Sequence, residues 1–102
     1  MLLDAASMLA DRDRLSCPPE VLSRVLAGEA VLLHLASGEY FGMNEVASHV
    51  WEAIVRGTSF GDAVNAVTSE FEVDEAQARG DLQRFVEMLT AKGLCVVARE
   101  EG

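Results

Sequence analysis

The sequence has four cysteine and histidine side chains, which are types that act as nucleophiles, general bases or metal ligands, namely Cys17, His34, His49 and Cys95. Histidine transfers protons near neutral pH, and a histidine beside a cysteine can activate the thiol for attack. Zinc sites built from these residues use short, recognisable spacings, which this sequence lacks, and no cysteine–histidine dyad is supported on sequence grounds. We therefore expect two histidines at the surface or the edge of the core, and two half-buried free thiols.

Other chemistry-bearing residues give no catalytic pattern. The 17 acidic residues are scattered over positions predicted to face solvent, so paired acid and base catalysis is not indicated. The eight glycines form neither a GxGxxG nor a GxxxxGK[ST] loop. Trp51 and the Tyr40-Phe41 pair recur at helical and strand spacing, which favours core packing over base stacking. The sequence thus predicts a protein without catalytic residues, metal or cofactor.

Length and charge bound the class of protein. A chain of 102 residues is expected to form one domain with one modest core. Its net charge of −9 repels phosphate and anionic lipid, which disfavours nucleic acid and membrane as partners. Asp4 interrupts the apolar N-terminus, and no apolar run approaches the ~20 residues of a membrane helix. With two thiols and no disulfide framework, the expected location is the cytoplasm.

The strands are predicted from short apolar runs around turns. One strand covers about 21–26, and residues 27–29 turn it into the next. A hairpin follows, with Ser37-Gly38 as its turn and Glu39 leading into its second strand. Its first strand is Val31, Leu32, Leu33 and Leu35, and its second strand is Tyr40, Phe41 and Met43.

Three helices are predicted after the hairpin, because each has an N-cap residue and an apolar stripe. The caps are Asn44, Ser59 and Asp74, and Gly57 and Gly93 end the first and third helices. The stripes are Ala47, Val50, Trp51 and Ile54; Ala63, Val64, Val67 and Phe71; and Ala78, Leu82, Phe85, Val86 and Leu89. The predicted class is α+β, a winged-helix-like three-stranded antiparallel sheet followed by three helices.

Domain limits follow from the prolines and the ends of these patterns. Pro18-Pro19 marks the entry to the folded body, since consecutive prolines impose an extended lead-in. We expect a flexible arm over residues 1–17, a folded domain over 18–97 and a flexible tail over 98–102. Leu94 to Val97 are expected to add a short strand after the third helix.

The order of these pieces resembles the PqqD-like family. The segments are E-x-V-L-L-x-L-x-S-G-x-Y-F-x-M-N-E at 29–45, V-W-E at 50–52 and D-L-x-x-F-V-x-x-L-x-x-x-G-L at 81–94. The resemblance covers about residues 18–97. Members are RiPP recognition elements, small domains that bind the leader of a ribosomally made precursor peptide and present the peptide to a modifying enzyme.

The stretch YFGMNEVASHVWE is most similar to the stand-alone members of lasso-peptide pathways. That similarity implies a free-standing protein whose partner enzyme is a cysteine peptidase that removes the leader. Members of the pyrroloquinoline quinone pathway, which work beside a radical SAM enzyme, are the alternative within the family.

The resemblance also implies where the peptide binds. In the family the leader lies between the second strand of the hairpin and the third helix, and an extended peptide can complete an open sheet edge by strand addition. The implied site residues are Glu39, Tyr40, Phe41, Gly42, Met43, Asp81, Leu82, Arg84, Phe85 and Met88. By helical angle, either of two flanks of the third helix can face the peptide. We favour the flank of Asp81, Arg84 and Met88 over the flank of Arg79, Gln83 and Val86.

Two functions of other classes compete with peptide binding. A winged-helix DNA-binding regulator needs a basic helix, but residues 45–72 carry five acidic residues and one basic, and residues 74–93 carry four and three. A small cofactor-less transferase needs a nucleophile or base, and none is indicated. Peptide binding is therefore the predicted function.

Overall fold

The computed structural model describes residues 8–99, which form two small antiparallel sheets and three helices. In chain order the elements are β1 (Arg14–Ser16), β2 (Val21–Leu26), β3 (Glu29–His34), β4 (Tyr40–Gly42), α1 (Glu45–Arg56), β5 (Thr58–Ser59), α2 (Phe60–Glu70), α3 (Glu75–Ala91) and β6 (Val96–Ala98). The predicted α+β class is confirmed, with β2, β3 and β4 as the three-stranded sheet that precedes the helices.

Sheet I consists of β2, β3 and β4 in chain order, which makes it an antiparallel meander. Ala27 and Gly28 join β2 to β3 with φ of 53° and 82°, the pair of left-handed conformations that a two-residue hairpin requires. In the next hairpin, Gly38 (φ 76°) donates its N–H to the carbonyl of His34 over 2.8 Å. This turn begins one residue early, so Leu35 lies outside the strand in which the sequence placed it.

Sheet II was predicted only in its last strand, which was expected over Leu94 to Val97 and is β6, and the sheet includes part of the expected arm. Residues 14–16 form its central strand, β1, between β5 and β6. Leu15 is fully buried in the core. The carboxylate of Asp13, 2% exposed, accepts a hydrogen bond from Ala10 N (2.9 Å) and pairs with Arg99 (3.2 Å). Burial of Leu15 and pairing of Asp13 thus hold this segment on the domain, whereas residues 1–7 and 100–102 lie outside the described part.

The helices begin at the predicted caps, and α1 and α3 end before the predicted glycines, whereas α2 ends at Glu70, one residue before Phe71. Each N-cap side chain accepts a hydrogen bond from the backbone N–H three residues later, Asn44 from Ala47 (2.8 Å), Ser59 from Asp62 (3.1 Å) and Asp74 from Gln77 (2.8 Å). These bonds satisfy N–H groups that have no partner within a helix. Gly57 and Gly93 follow α1 and α3 with φ of 84° and 74°, a conformation that glycine adopts without a Cβ clash.

A buried serine fixes α1 against sheet I. Ser48 accepts a hydrogen bond from Ala30 N (2.7 Å) and donates one to the carbonyl of Met43 (3.2 Å), so one side chain joins β3, the end of β4 and α1. The core beneath it includes Trp51, 1% exposed, and Leu32, fully buried. Within residues 8–99, no helix is long and apolar enough to cross a bilayer.

Candidate peptide-binding site

Strand β4 is an edge of sheet I, and its hydrogen-bond register shows which backbone groups face outward. His34 N donates to Glu39 O and Met43 N donates to Ala30 O, each over 2.9 Å. Between these two bonded pairs, Phe41 lies opposite Leu32 in register. Bonded and non-bonded pairs alternate along an antiparallel ladder, so Phe41 bonds to Leu32.

Because of the same alternation, the N–H and C=O groups of Tyr40 and Gly42 point away from β3, along the open edge. Both residues are exposed. An extended peptide placed beside β4 would therefore find two donors and two acceptors at the spacing of a β-ladder.

One flank of α3 is covered by the segment before β1. Leu9 N donates to the Gln83 side chain over 3.0 Å, and Arg79 forms an ion pair with Asp11. Hydrogen bonds to Asp11, which has the larger effect, and to Glu75 raise the pKa of Arg79 and keep its guanidinium charged. A cavity of about 400 Å³ lies on this covered side, lined in part by Leu9 and Gln83. The segment therefore covers α3 at Arg79 and Gln83, and the cavity lies beside the later turns of the helix.

The other flank of α3 is open and leads to β4. Asp81 and Arg84 form an exposed ion pair, and Met88 is 42% exposed. Lys92, one turn beyond Met88, places its Nζ 5.9 Å from the centroid of the Phe41 ring, within the range of a cation–π contact. The stripe Asp81, Arg84, Met88 and Lys92 thus lies on the side of α3 nearest to β4. We call this stripe together with β4 the β4–α3 face.

Two predicted site residues are buried instead of lining the surface. Met43 is 8% and Leu82 is 4% exposed, and both belong to the hydrophobic core. Phe41 and Phe85 are partly buried and pack against that core, so each retains surface for contact. Glu39 lies in the turn before β4. Buried Met43 and Leu82 can position the face but offer a peptide little area.

Tyr40 points to the other side of sheet I. It is 72% exposed and lies opposite Leu33, which itself lies opposite Leu22. Side chains alternate between the faces of a strand, so Phe41 projects to the core side and Tyr40 to the outer face. Tyr40 therefore contributes its backbone to the open edge, and its ring flanks that edge on the outer face.

Sequence reasoning missed Lys92 and a pocket near the start of α3. A cavity of about 270 Å³ lies between the starts of α1 and α3 and the end of α2, lined by Val46, Val67, Phe71, Glu72, Val73, Ala78, Asp81 and Leu82. Val46, in the first turn of α1, is 41% exposed. Lys92 could have been found as the basic residue that follows the last turn of α3, where cations are favoured. The pocket has no local sequence signal because it forms between three helices.

The histidines lie apart from each other on different elements. His34 is half-buried on β3, and its Nε2 would be 3.1 Å from a Cβ placed on Gly93. His49 is half-buried on α1, where its ring meets the edge of Phe71 at 5.6 Å. Among the described residues, no three His, Cys, Asp or Glu side chains are grouped to hold a metal ion. Both histidines have packing roles.

The fold and the face define a class of protein, a small winged-helix-like domain that presents an open sheet edge beside a helix. The model of the family described as coenzyme PQQ synthesis protein D (PqqD) matches residues 29–94. The chain belongs to the PqqD family. A search of curated proteins gave no match.

Two solved structures resemble the chain closely. One is described as TbiB1 in complex with the TbiA(beta) leader peptide; it is 34% identical, with a TM-score of 0.76, over 78% of this chain and 93% of that one. The other is lasso peptide synthetase B1 complexed with the leader peptide; it is 29% identical, with a TM-score of 0.72, over 80% of this chain and 96% of that one. Both similar proteins were therefore solved with a leader peptide bound.

Proposed function

We propose that this chain is a RiPP recognition element, which binds the leader of a ribosomal precursor peptide at the β4–α3 face and delivers the precursor to a maturation enzyme. The enzyme we favour is the cysteine peptidase of a lasso-peptide pathway. The observation that carries the proposal is that two similar structures are leader-peptide complexes. An open β4 edge beside the uncovered flank of α3 supports it independently.

Binding would proceed by strand addition. The outward N–H and C=O groups of Tyr40 and Gly42 would bond to the peptide backbone, which provides affinity for any extended sequence. Side chains on one side of the added strand would meet Met88 and Phe85 on α3. Met adapts to irregular partners, and the two apolar side chains would favour apolar residues in the leader. Backbone hydrogen bonds would thus provide most of the affinity, and side chains of α3 would provide the specificity.

The proposed interface is small, so its affinity has a limited range. An added strand loses chain entropy on ordering, which offsets part of the contact energy. We expect a dissociation constant between micromolar and nanomolar, about −8 to −12 kcal/mol. The net charge of −9 favours a leader that is neutral or basic over an acidic one.

Titration with a synthetic leader peptide tests the proposed site. The peptide would be taken from the precursor reading frame adjacent to the gene. Met88→Asp places a charge on the open flank and is expected to weaken binding at least about tenfold, equivalent to ~1.4 kcal/mol. Val55→Asp is the matched control, because Val55 on α1 is 50% exposed and Met88 is 42% exposed. Equal affinities of the two variants would place the peptide elsewhere.

A second prediction concerns delivery. A protein that holds the precursor near an enzyme raises its effective concentration there. Adding this chain to the peptidase is expected to lower the apparent KM for the full-length precursor and to leave a leader-less peptide unaffected. Kinetics with both substrates would measure the difference. The same change for both peptides would contradict delivery through the leader.

The alternatives predict other outcomes. If the partner is a radical SAM enzyme, the chain would still bind a leader but would bring it to that enzyme and not to the peptidase. If the chain regulates transcription, random duplex DNA would shift in a gel at protein concentrations where the leader does not bind. No helix of the described chain carries a continuous basic face, which favours the peptide over DNA.

A further inference from the structure

The two cysteines of the chain lie directly beyond the paired ends of β1 and β6 in sheet II, Cys17 after Ser16 and Cys95 before Val96, although 77 residues separate them in sequence. Leu15 faces Val97 in the antiparallel register of β1 and β6. The last pair of that register is Ser16 with Val96, and its continuation by one residue beyond both strands brings Cys17 opposite Cys95. Side chains two residues apart project to the same face of a strand, so both thiols project to the side on which Leu15 is buried.

Burial agrees with this placement. Cys95 is 5% exposed within the core, and half-buried Cys17 packs against the same core. Directly opposed residues in antiparallel strands have Cα atoms about 4.5–5.5 Å apart. A disulfide needs about 4.4–6.8 Å. Continued by one residue, the register therefore gives the two cysteines a Cα separation that a disulfide can bridge.

We propose that Cys17 and Cys95 form a thiol modification site, which closes to an intramolecular disulfide in the folded protein when a low-molecular-weight disulfide is present. The bond would join the lead-in to sheet I with the segment that follows α3. Cys17 lies close to Val21, the first residue of β2, with its Sγ 3.8 Å from the Val21 carbonyl oxygen. Cys95 lies two residues after Gly93, which ends α3. The inference does not depend on peptide binding.

The chemistry is two successive thiol–disulfide exchanges. The thiolate of Cys17, the more exposed of the pair, attacks one sulfur of the small disulfide RSSR, forms a mixed disulfide and releases one RS⁻. The thiolate of Cys95 then attacks the Cys17 sulfur and releases the second RS⁻. The two thiol protons pass to solvent or to the departing thiolates, so the products are one protein disulfide and two RSH.

Burial raises the pKa of both thiols, that of Cys95 to about 11. At neutral pH both groups are almost entirely protonated, and thiolate is the reacting species. The exchange is therefore expected to be slow at pH 7 and to accelerate as the pH rises towards 9. A preparation kept reduced and neutral would retain two free thiols.

The test is incubation of the folded, reduced chain with oxidised glutathione at pH 8.5, without denaturant. We expect both thiols to disappear, the mass to fall by two hydrogen atoms, and the chain to stay monomeric on a non-reducing gel. A cross-link that closes a long loop commonly stabilises by a few kcal/mol, so the oxidised form is expected to melt about 10 °C higher or more. Dithiothreitol should reverse both changes.

Cys17→Ser and Cys95→Ser are the controls. Cys95→Ser, which keeps the more exposed thiol, is expected to gain one glutathione without any rise in Tm. Circular dichroism would check that each variant folds. If a variant does not fold, the measurement on the wild-type protein still tests the proposal. Folded wild-type protein that keeps both thiols, stops at a glutathione adduct or forms cross-linked dimers would overturn the proposal.

Discussion

Proline at Tyr40 or at Gly42 is expected to abolish leader binding and to leave the far-UV circular dichroism spectrum unchanged. The N–H groups of these two residues point outward from the open edge of β4, away from β3, so their loss breaks no hydrogen bond of sheet I. Each proline removes one donor from the proposed ladder, and its ring occupies the space that an added strand needs. Calorimetric titration of each variant with the leader peptide measures the loss.

Proline at Phe41 and at Glu39 provides the contrasting pair. Phe41 donates its N–H within sheet I, and Glu39 N donates to the Ser37 side chain in the turn over 3.2 Å. Both substitutions are therefore expected to damage the hairpin and change the spectrum. If folded variants with proline at Tyr40 and Gly42 bound the leader as tightly as wild type, the peptide would dock elsewhere and strand addition would be wrong.

Trp51→Ala is expected to have the largest effect on stability, about 3–5 kcal/mol. Trp51 is 1% exposed at the centre of the core, so truncation removes its buried area and leaves a cavity. The total stability of a small domain is about 5–15 kcal/mol, of which this loss is a large share. Urea or thermal unfolding monitored by circular dichroism would measure it.

Two further substitutions separate core packing from the site. Trp51→Phe retains a buried ring, and among the described residues the Trp51 indole N–H has no hydrogen-bond partner to lose; a much smaller loss than for alanine is expected. Tyr40→Ala is expected to leave Tm nearly unchanged, because the ring is 72% exposed, and to weaken leader binding. A Trp51→Ala protein that stayed stable but could not bind would reverse our assignment of the two aromatic residues.

Local patterns in the sequence determined much of the fold. The caps Asn44, Ser59 and Asp74 bond to backbone groups three residues away, so short segments contain the whole signal. The stops at Gly57 and Gly93 are local for the same reason, because each depends on one residue with positive φ. Short apolar runs around turns located the strands of sheet I within one or two residues. The order of these elements was also sufficient to indicate the PqqD family.

The tertiary structure alone decided which flank of α3 is open. Helical spacing places Arg84 and Gln83 on opposite flanks but cannot say what covers either. The cover comes from Leu9 and Asp11, about 70 residues earlier in the chain. Likewise, the register with β3 decides that the N–H and C=O groups of Tyr40 and Gly42 point outward. The sequence of β4 by itself does not specify that register.

Sheet II illustrates the same limit. Only its strand β6 was expected; β1 and β5 have three and two residues, too few for a period-two pattern to be recognised. Segments this short are stabilised by partners distant in sequence and by burial of Leu15, not by intrinsic propensity. For that reason the sequence suggested an arm before Pro18 and two unrelated cysteines. In the fold, residues 14–16 of that arm form a central strand, and Cys17 and Cys95 lie at the adjoining ends of β1 and β6.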